Sequence, residues 1–337
     1  MKLLKTLIAT TALVGAGAMA MAGSHGGGAN PAVIFDLGGK FDKSFNEMSY
    51  TGAERFKEET GIDYREFELQ SDAQREQALR RFAQAGNNPV VVAGFSNATA
   101  MNTVAPDFPD TDFVIIDMVV DQPNVRSVVF AEHEGSYLVG LLAGMASETG
   151  TVSFVGGMDI PLIRKFQCGY TQGAKAANPD ITVLATMTGT DGSAWNNPVK
   201  GGELTMSQIQ NGSDVVFAAA GGTGRGVLQA AADAGIYAIG VDANQNYMQP
   251  GTMLTSMLKR VDVAVFNAFN DVNNGEFTAG IQVMGLAEDG VGWALDEYNA
   301  DLITDEMKAA VEEARAKIIS GEIVVVDYMA DNSCPVE

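Results

Sequence analysis

The chain has 337 residues, with 42 acidic against 21 basic side chains and a formal net charge of −21. Charge of that sign repels polyanions, which excludes nucleic acid and anionic membrane surfaces as partners. The length is more than one hydrophobic core usually holds and suits two.

Lys2 and Lys5 precede an apolar run that ends in Ala20-Met21-Ala22. That is the layout of a secretory signal peptide over residues 1–22, with cleavage expected before Gly23. No Cys follows the cleavage point, so no lipid anchor is expected on the mature N-terminus. The protein is therefore expected to work in solution in the periplasm. No other apolar run in the sequence is long enough to span a bilayer.

After a Gly-rich lead, residues 33–37 read as a strand, Gly38-Gly39 as a turn and about 44–60 as an amphipathic helix. Residues 64–69 alternate as a strand does, and 72–84 place Ala73, Leu79, Phe82 and Ala83 at helical spacing. A buried-type strand at 89–93, a helix from about 97 and a strand at 113–117 complete a first run. A second begins at 125, with strands predicted at 125–130, 152–155, 182–186, 215–219, 237–241 and 253–257. Helices at 134–148, 161–177, 198–210, 224–234 and 261–273 alternate with them, followed by a helix at 305–320 and a strand at 323–326. Strand–helix–strand alternation at this spacing builds parallel sheets covered on both faces. The prediction is an α/β protein of two doubly wound lobes, whose ligand crevice lies beyond the carboxyl ends of the strands.

Distinctive residues fall at those ends in both runs. The first strand leads through Asp36, Gly38 and Gly39 to Asp42-Lys43-Ser44-Phe45-Asn46, where Ser44 or Asp42 would cap the next helix. The ring of Phe45 faces either core or crevice. Gly94-Phe95-Ser96-Asn97 follows the third strand and Asp117 the fourth. In the second run Trp195 lies in a polar loop, either packed or offered as a stacking surface. Gly221-Gly222-Thr223-Gly224-Arg225-Gly226 opens a helix, Asp242 ends the next strand, and Lys259 closes the one after. The Gly222…Asp242 pairing resembles a dinucleotide-binding unit but lacks the third glycine in place. Its chemistry still holds: a carboxylate beyond a strand accepts hydrogen bonds from vicinal hydroxyls.

Enzyme chemistry has little to work with. His25 and His133 are the histidines, no G-x-S-x-G elbow accompanies them, and no Cys/His cluster has zinc spacing. Glu132-His133-Glu134 reads as acids complementing a helix N-terminus rather than as a metal site. Cys168 and Cys334 permit one disulfide, which would tie the C-terminal tail to the body; two free thiols are the alternative.

Several blocks occur in a characteristic order: Asp36-x-Gly38-Gly39 with Asp42-x-Ser44-Phe45-Asn46, Glu134 to Gly140, Val155-Gly156-Gly157, Gly169-Tyr170, Ala219 to Val227, Ile239 to Asp242, and Leu254 to Asp262. Together they resemble the basic membrane protein family of ABC-transporter substrate-binding proteins, over about residues 31–271. The resemblance implies a type I periplasmic-binding-protein fold with three crossover segments. The first lobe would comprise residues 31–125 and 253–280, the second 126–252 and 281–330. It also implies a purine nucleoside as ligand, an ABC permease in the inner membrane as partner, a monomer, and neither cofactor nor metal. By motif, Phe45 and Trp195 would stack on the base, with Phe217 as substitute for Trp195. Asp36 and Asp117 would approach the ligand from the first lobe, Asp242 and Lys259 would hold the ribose, and Gly222 would offer backbone contacts. Relatives often carry Asp where this chain has Asn197. A sugar or free purine base in the same fold is the alternative, and a periplasmic nucleoside hydrolase a more distant one.

Overall fold

A computed structural model of the chain describes residues 28–336; the expected signal segment lies outside them. Short runs of β-branched and aromatic residues form β1 (Ala32–Phe35), β3 (Val90–Val92), β4 (Phe113–Ile116) and β8 (Val215–Ala219), each buried along its whole length. Strands buried on both faces belong inside parallel sheets flanked by helices. The first sheet has the order β11-β5-β4-β3-β1-β2, all parallel, with β2 (Arg65–Glu68), β5 (Val125–Phe130) and β11 (Gly280–Met284). Its helices are α1 (Phe45–Thr60), α2 (Arg75–Gln84), α3 (Ala98–Val104) and α8 (Val261–Asn274), the last packed on α1.

The second sheet repeats that plan as β12-β10-β9-β8-β6-β7. It is built from β6 (Thr151–Met158), β7 (Thr182–Gly189), β9 (Tyr237–Asp242) and β10 (Met253–Lys259), with β12 (Val291–Trp293) antiparallel at one edge. Around it lie α4 (Glu132–Ala146), α5 (Pro161–Ala177), α6 (Pro198–Gln210), α7 (Gly224–Ala234) and α9 (Asp305–Ile319). The chain crosses between lobes three times: from β5 to α4, from β10 to α8, and from β11 to β12.

Pairing differs from the expected lobe boundaries at three strands. β5 belongs to the first sheet and β10 to the second, because their parallel neighbours are β4 and β9. β11, which sequence reading missed, extends the first sheet beside β5. The strand expected at 323–326 pairs with no strand among the described residues; that stretch is docked by Gln172, whose side chain donates to the Val326 carbonyl and accepts from its N–H. Cys168 and Cys334 are joined, with Cα atoms 5.7 Å apart, so the tail is stapled to α5. The α4 helix starts at Glu132, two residues before its expected start. It lies unusually close to α5, since a Cβ at Gly140 or Gly173 would fall about 2 Å from a backbone oxygen of the other helix. That approach sets the first turn of α4 against the second and third turns of α5, at Lys165 and Gly169. Among the described residues no helix is long and apolar enough to cross a membrane.

Candidate functional site

The two sheets place equivalent strand ends opposite one another. β4 and β9 occupy the same position in their sheets, and at the carboxyl end of each stands an aspartate in the left-handed region: Asp117 (φ 71°), just past β4, and Asp242 (φ 62°), the last residue of β9. That backbone conformation is uncommon for a residue with a Cβ, and Asp is among those that tolerate it. Such residues concentrate at binding sites.

Between them stands Lys259, the last residue of β10, almost wholly buried. Its ammonium lies 2.7 Å from Asp117 Oδ2 and 3.0 Å from Glu132 Oε1. Glu132 in turn meets Lys165 of α5 at 3.1 Å, and Lys165 reaches Asp327 of the stapled tail at 3.2 Å. Lys165 Nζ also donates to the carbonyl of Phe130. The Asp242 carboxylate accepts from Ser44 Oγ of the first lobe. The second oxygen of Asp117, Oδ1, is buried without a hydrogen-bond partner among the described residues. It is an acceptor awaiting a donor.

Burial pushes the Asp117 and Asp242 carboxyls up to about 6, and Lys259 pulls back only part of the shift. Burial works against the Lys259 ammonium as well, but Asp117, Glu132 and Asp242 outweigh it and hold the group above its ordinary range. Glu132 is also fully desolvated, yet Lys259 and Lys165 together keep its carboxyl below the usual value. Close to neutral pH the deep wall is thus an ammonium set among carboxylates, an arrangement suited to vicinal hydroxyls that both donate and accept.

The side walls are aromatic. Phe45 opens α1 in the first lobe, while Phe166 of α5 and Trp195 belong to the second, and all three line the cleft. Lys259 Nζ sits 5.3 Å from the Phe45 ring centroid and 5.5 Å from that of Phe166, with Phe130 beneath at 5.0 Å. The Trp195 indole lies flat on Gly157, where a Cβ would come within 2.1 Å of the ring. Thr223 Oγ1 fixes the loop by donating to the Ala194 carbonyl and accepting from Asn197 N–H. Asn197 caps α6 through its side chain, a task that Asn and Asp perform equally well.

At the far end Asp36 lines the cleft, with Oδ1 held by Arg75 at 2.7 Å and by Leu37 N–H. Burial raises its carboxyl and the Arg75 guanidinium opposes the rise. Asp42 takes N–H bonds from Ser44, Asn46 and Glu47, so it is the Asp rather than Ser44 that caps α1.

Of the seven residues singled out from sequence, Asp36, Phe45, Asp117, Trp195, Asp242 and Lys259 border one cleft. Gly222 does not: its carbonyl accepts from Arg225 and its Cα faces the backbone of Trp195, so its neighbour Gly221 forms the wall. Phe217 is no substitute for Trp195, being sealed in the core against Phe154 and Tyr170. Glu132 and Phe166 escaped sequence reading. An acid opening a helix and an aromatic on an amphipathic helix both have ordinary explanations, and only the α4–α5 contact and the crossover turn them toward the cleft.

Two lobes of like topology, three crossovers and a cleft at the strand ends define a type I solute-binding protein. Solved structures agree. The chain is 32% identical, with a TM-score of 0.82, to an ABC transporter solute-binding protein from Aeropyrum pernix, covering 89% of this chain and 93% of that one. A solute-binding protein from Conexibacter woesei matches at 25% identity and a TM-score of 0.73, over 89% and 99%. The model of the Bmp family, described as ABC transporter substrate-binding protein PnrA-like, matches residues 29–328. The chain belongs to that family, whose members are substrate-binding proteins rather than enzymes. Among its relatives are the ABC transporter nucleoside-binding protein BmpA of Lactococcus lactis, 32% identical over 87% of this chain and 88% of that one. An uncharacterized lipoprotein of Pyrococcus abyssi is 35% identical over 86% and 78%.

Proposed function

We propose that this chain captures a purine nucleoside between its lobes in the periplasm and delivers it, as a monomer, to an ABC permease. The observation that carries the reading is the division of the cleft. Flat aromatic walls from both lobes, Phe45 against Phe166 and Trp195, adjoin a polar end where Asp117 and Asp242 flank Lys259. A planar base needs the first and a ribose diol the second. Stacking on an aromatic contributes about 1–3 kcal/mol per base in single-strand binders, and charge-assisted hydrogen bonds to the diol add to it. The name of the Lactococcus relative points the same way. Contacts from both lobes favour the closed form through their differential affinity for it.

Titration calorimetry on the mature chain, unfolded and refolded to remove any carried ligand, tests the proposal with inosine, guanosine, adenosine, cytidine, guanine, ribose and glucose. Tight binding of at least one purine nucleoside, lost in Asp242→Ala, is expected. Silence toward every nucleoside together with binding of ribose, glucose or guanine would keep the fold and remove the ligand.

A further inference from the structure

Beside the cleft the lobes touch through two direct polar contacts between protein groups, only one of which, through Asp242, reaches the cleft lining. Gln245 Nε2 of the second lobe donates to the Lys43 carbonyl of the first at 2.8 Å, and Ser44 Oγ donates to Asp242. Neither Gln245 nor Ser44 borders the cleft. Each half of this seam is held by bonds within its own lobe. In the first lobe Lys43 sits in the left-handed region at φ 67°. Its N–H donates to Glu47 Oε2 at 3.1 Å, and the N–H of Ser44 donates to Asp42 at 2.8 Å. Together these bonds fix the direction of the Lys43 carbonyl. In the second lobe Gln245 Oε1 accepts from Val241 N–H at 2.9 Å, and its backbone N–H donates to Ser256 Oγ. Gly240 makes room, because a Cβ there would come within 2.5 Å of Gln245 Oε1. Gln245 and Ser44 are both buried, so each polar atom depends on its partner in the other lobe.

We propose that Gln245 and Ser44 form a ligand-independent latch that holds part of the empty protein closed, and so set its affinity without touching the ligand. Donor and acceptor are both oriented before they meet, so closing orders little more, and preorganisation of this kind raises the population of the joined state. Apparent affinity scales with the fraction of protein already in the binding-competent form, and ligand release is slowed while the latch is shut. The inference concerns closure alone and holds whatever the cleft binds.

Gln245→Glu is the sharp variant. It keeps size and the acceptor for Val241 N–H, and sets a carboxylate oxygen against the Lys43 carbonyl, acceptor to acceptor. Single-molecule FRET between labels at Glu59 and Glu203, exposed sites on opposite lobes, reads the closed population of the ligand-stripped chain. Loss of one such hydrogen bond corresponds to roughly a 3- to 10-fold drop in the closed-to-open ratio. Ser44→Ala, which removes a single buried hydroxyl, is expected to do the same and carries the test should Gln245→Glu fail to fold. With inosine as probe, Gln245→Glu is expected to speed release while leaving the inosine-to-adenosine affinity ratio unchanged. The proposal is overturned if the empty wild-type protein has no closed population, if neither variant shifts it, or if Gln245→Glu alters that ratio. Failure of inosine to bind would count against the nucleoside reading and leave the FRET result to decide the latch.

Discussion

Replacing Asp242 by Asn removes a buried negative charge while retaining an oxygen to accept from Ser44. The Asp242 carboxyl titrates at about 6 in the folded protein against an ordinary 3.8, with burial the leading cause. Between those values the native state holds a proton that the unfolded chain has released, so stability falls as pH rises through the window and the loss is complete above it. A shift of about two pH units at 1.36 kcal/mol each corresponds to about 3 kcal/mol of destabilisation at pH 8, with little of it present at pH 4. Asn carries no such penalty. In urea denaturation of ligand-stripped protein, Asp242→Asn should therefore gain on wild type by about 2–3 kcal/mol more at pH 8 than at pH 4. Nucleoside binding should be lost at both pH values. A stability difference that is the same at pH 4 and pH 8, or that turns against the variant at pH 8, would refute the claim that Asp242 is a desolvated charge maintained for binding.

Four further outcomes are expected. Glu132→Gln leaves Lys165 and Lys259 facing each other without their shared counter-charge, and should cost about 3–5 kcal/mol in urea denaturation. Phe45→Ala and Phe166→Ala should each weaken calorimetric binding of inosine by about 1–3 kcal/mol. Phe217→Ala should instead lower the melting temperature through a core cavity of about 3–5 kcal/mol, leaving the affinity of folded molecules in place. Reducing the Cys168–Cys334 bridge opens a loop of sequence separation 166, worth up to about 5 kcal/mol in the chain-entropy picture. The melting temperature should drop on reduction, and hydrogen exchange should speed up at Val326, whose N–H is held by Gln172.

Much of this site is legible in the sequence because local rules and tertiary placement agree there. An apolar run ending in Asp, as at 113–117 and 237–242, puts a carboxylate at the carboxyl end of a parallel strand, where ligands of such sheets bind. Glycine before a polar helix start marks the same rim at Gly38 and Gly221. Where two explanations share one pattern, the sequence is silent. Glu132 satisfies a helix N-terminus as well as it satisfies Lys259, and Phe166 fits a core stripe as well as a cleft wall. Lobe membership of β5, β10 and β11 is equally hidden, since a strand that pairs just before a crossover looks like any other. Residues 323–326 read as a strand from composition, but among the described residues they pair with no strand, and Gln172 of α5 supplies the two hydrogen bonds that a neighbouring strand would give Val326.

The crossovers have one more consequence. Glu132 and Lys259 each stand within a residue or two of a point where the chain passes from one lobe to the other. Rigid bodies that swing about a pivot move least beside it, so this ion pair keeps its spacing as the jaws part, whereas the Ser44–Asp242 contact joins side chains of opposite lobes and exists only when they meet. The deepest charges of the cleft therefore belong to the axle rather than to either jaw, and they present the same face to a solute entering an open mouth as to one already enclosed.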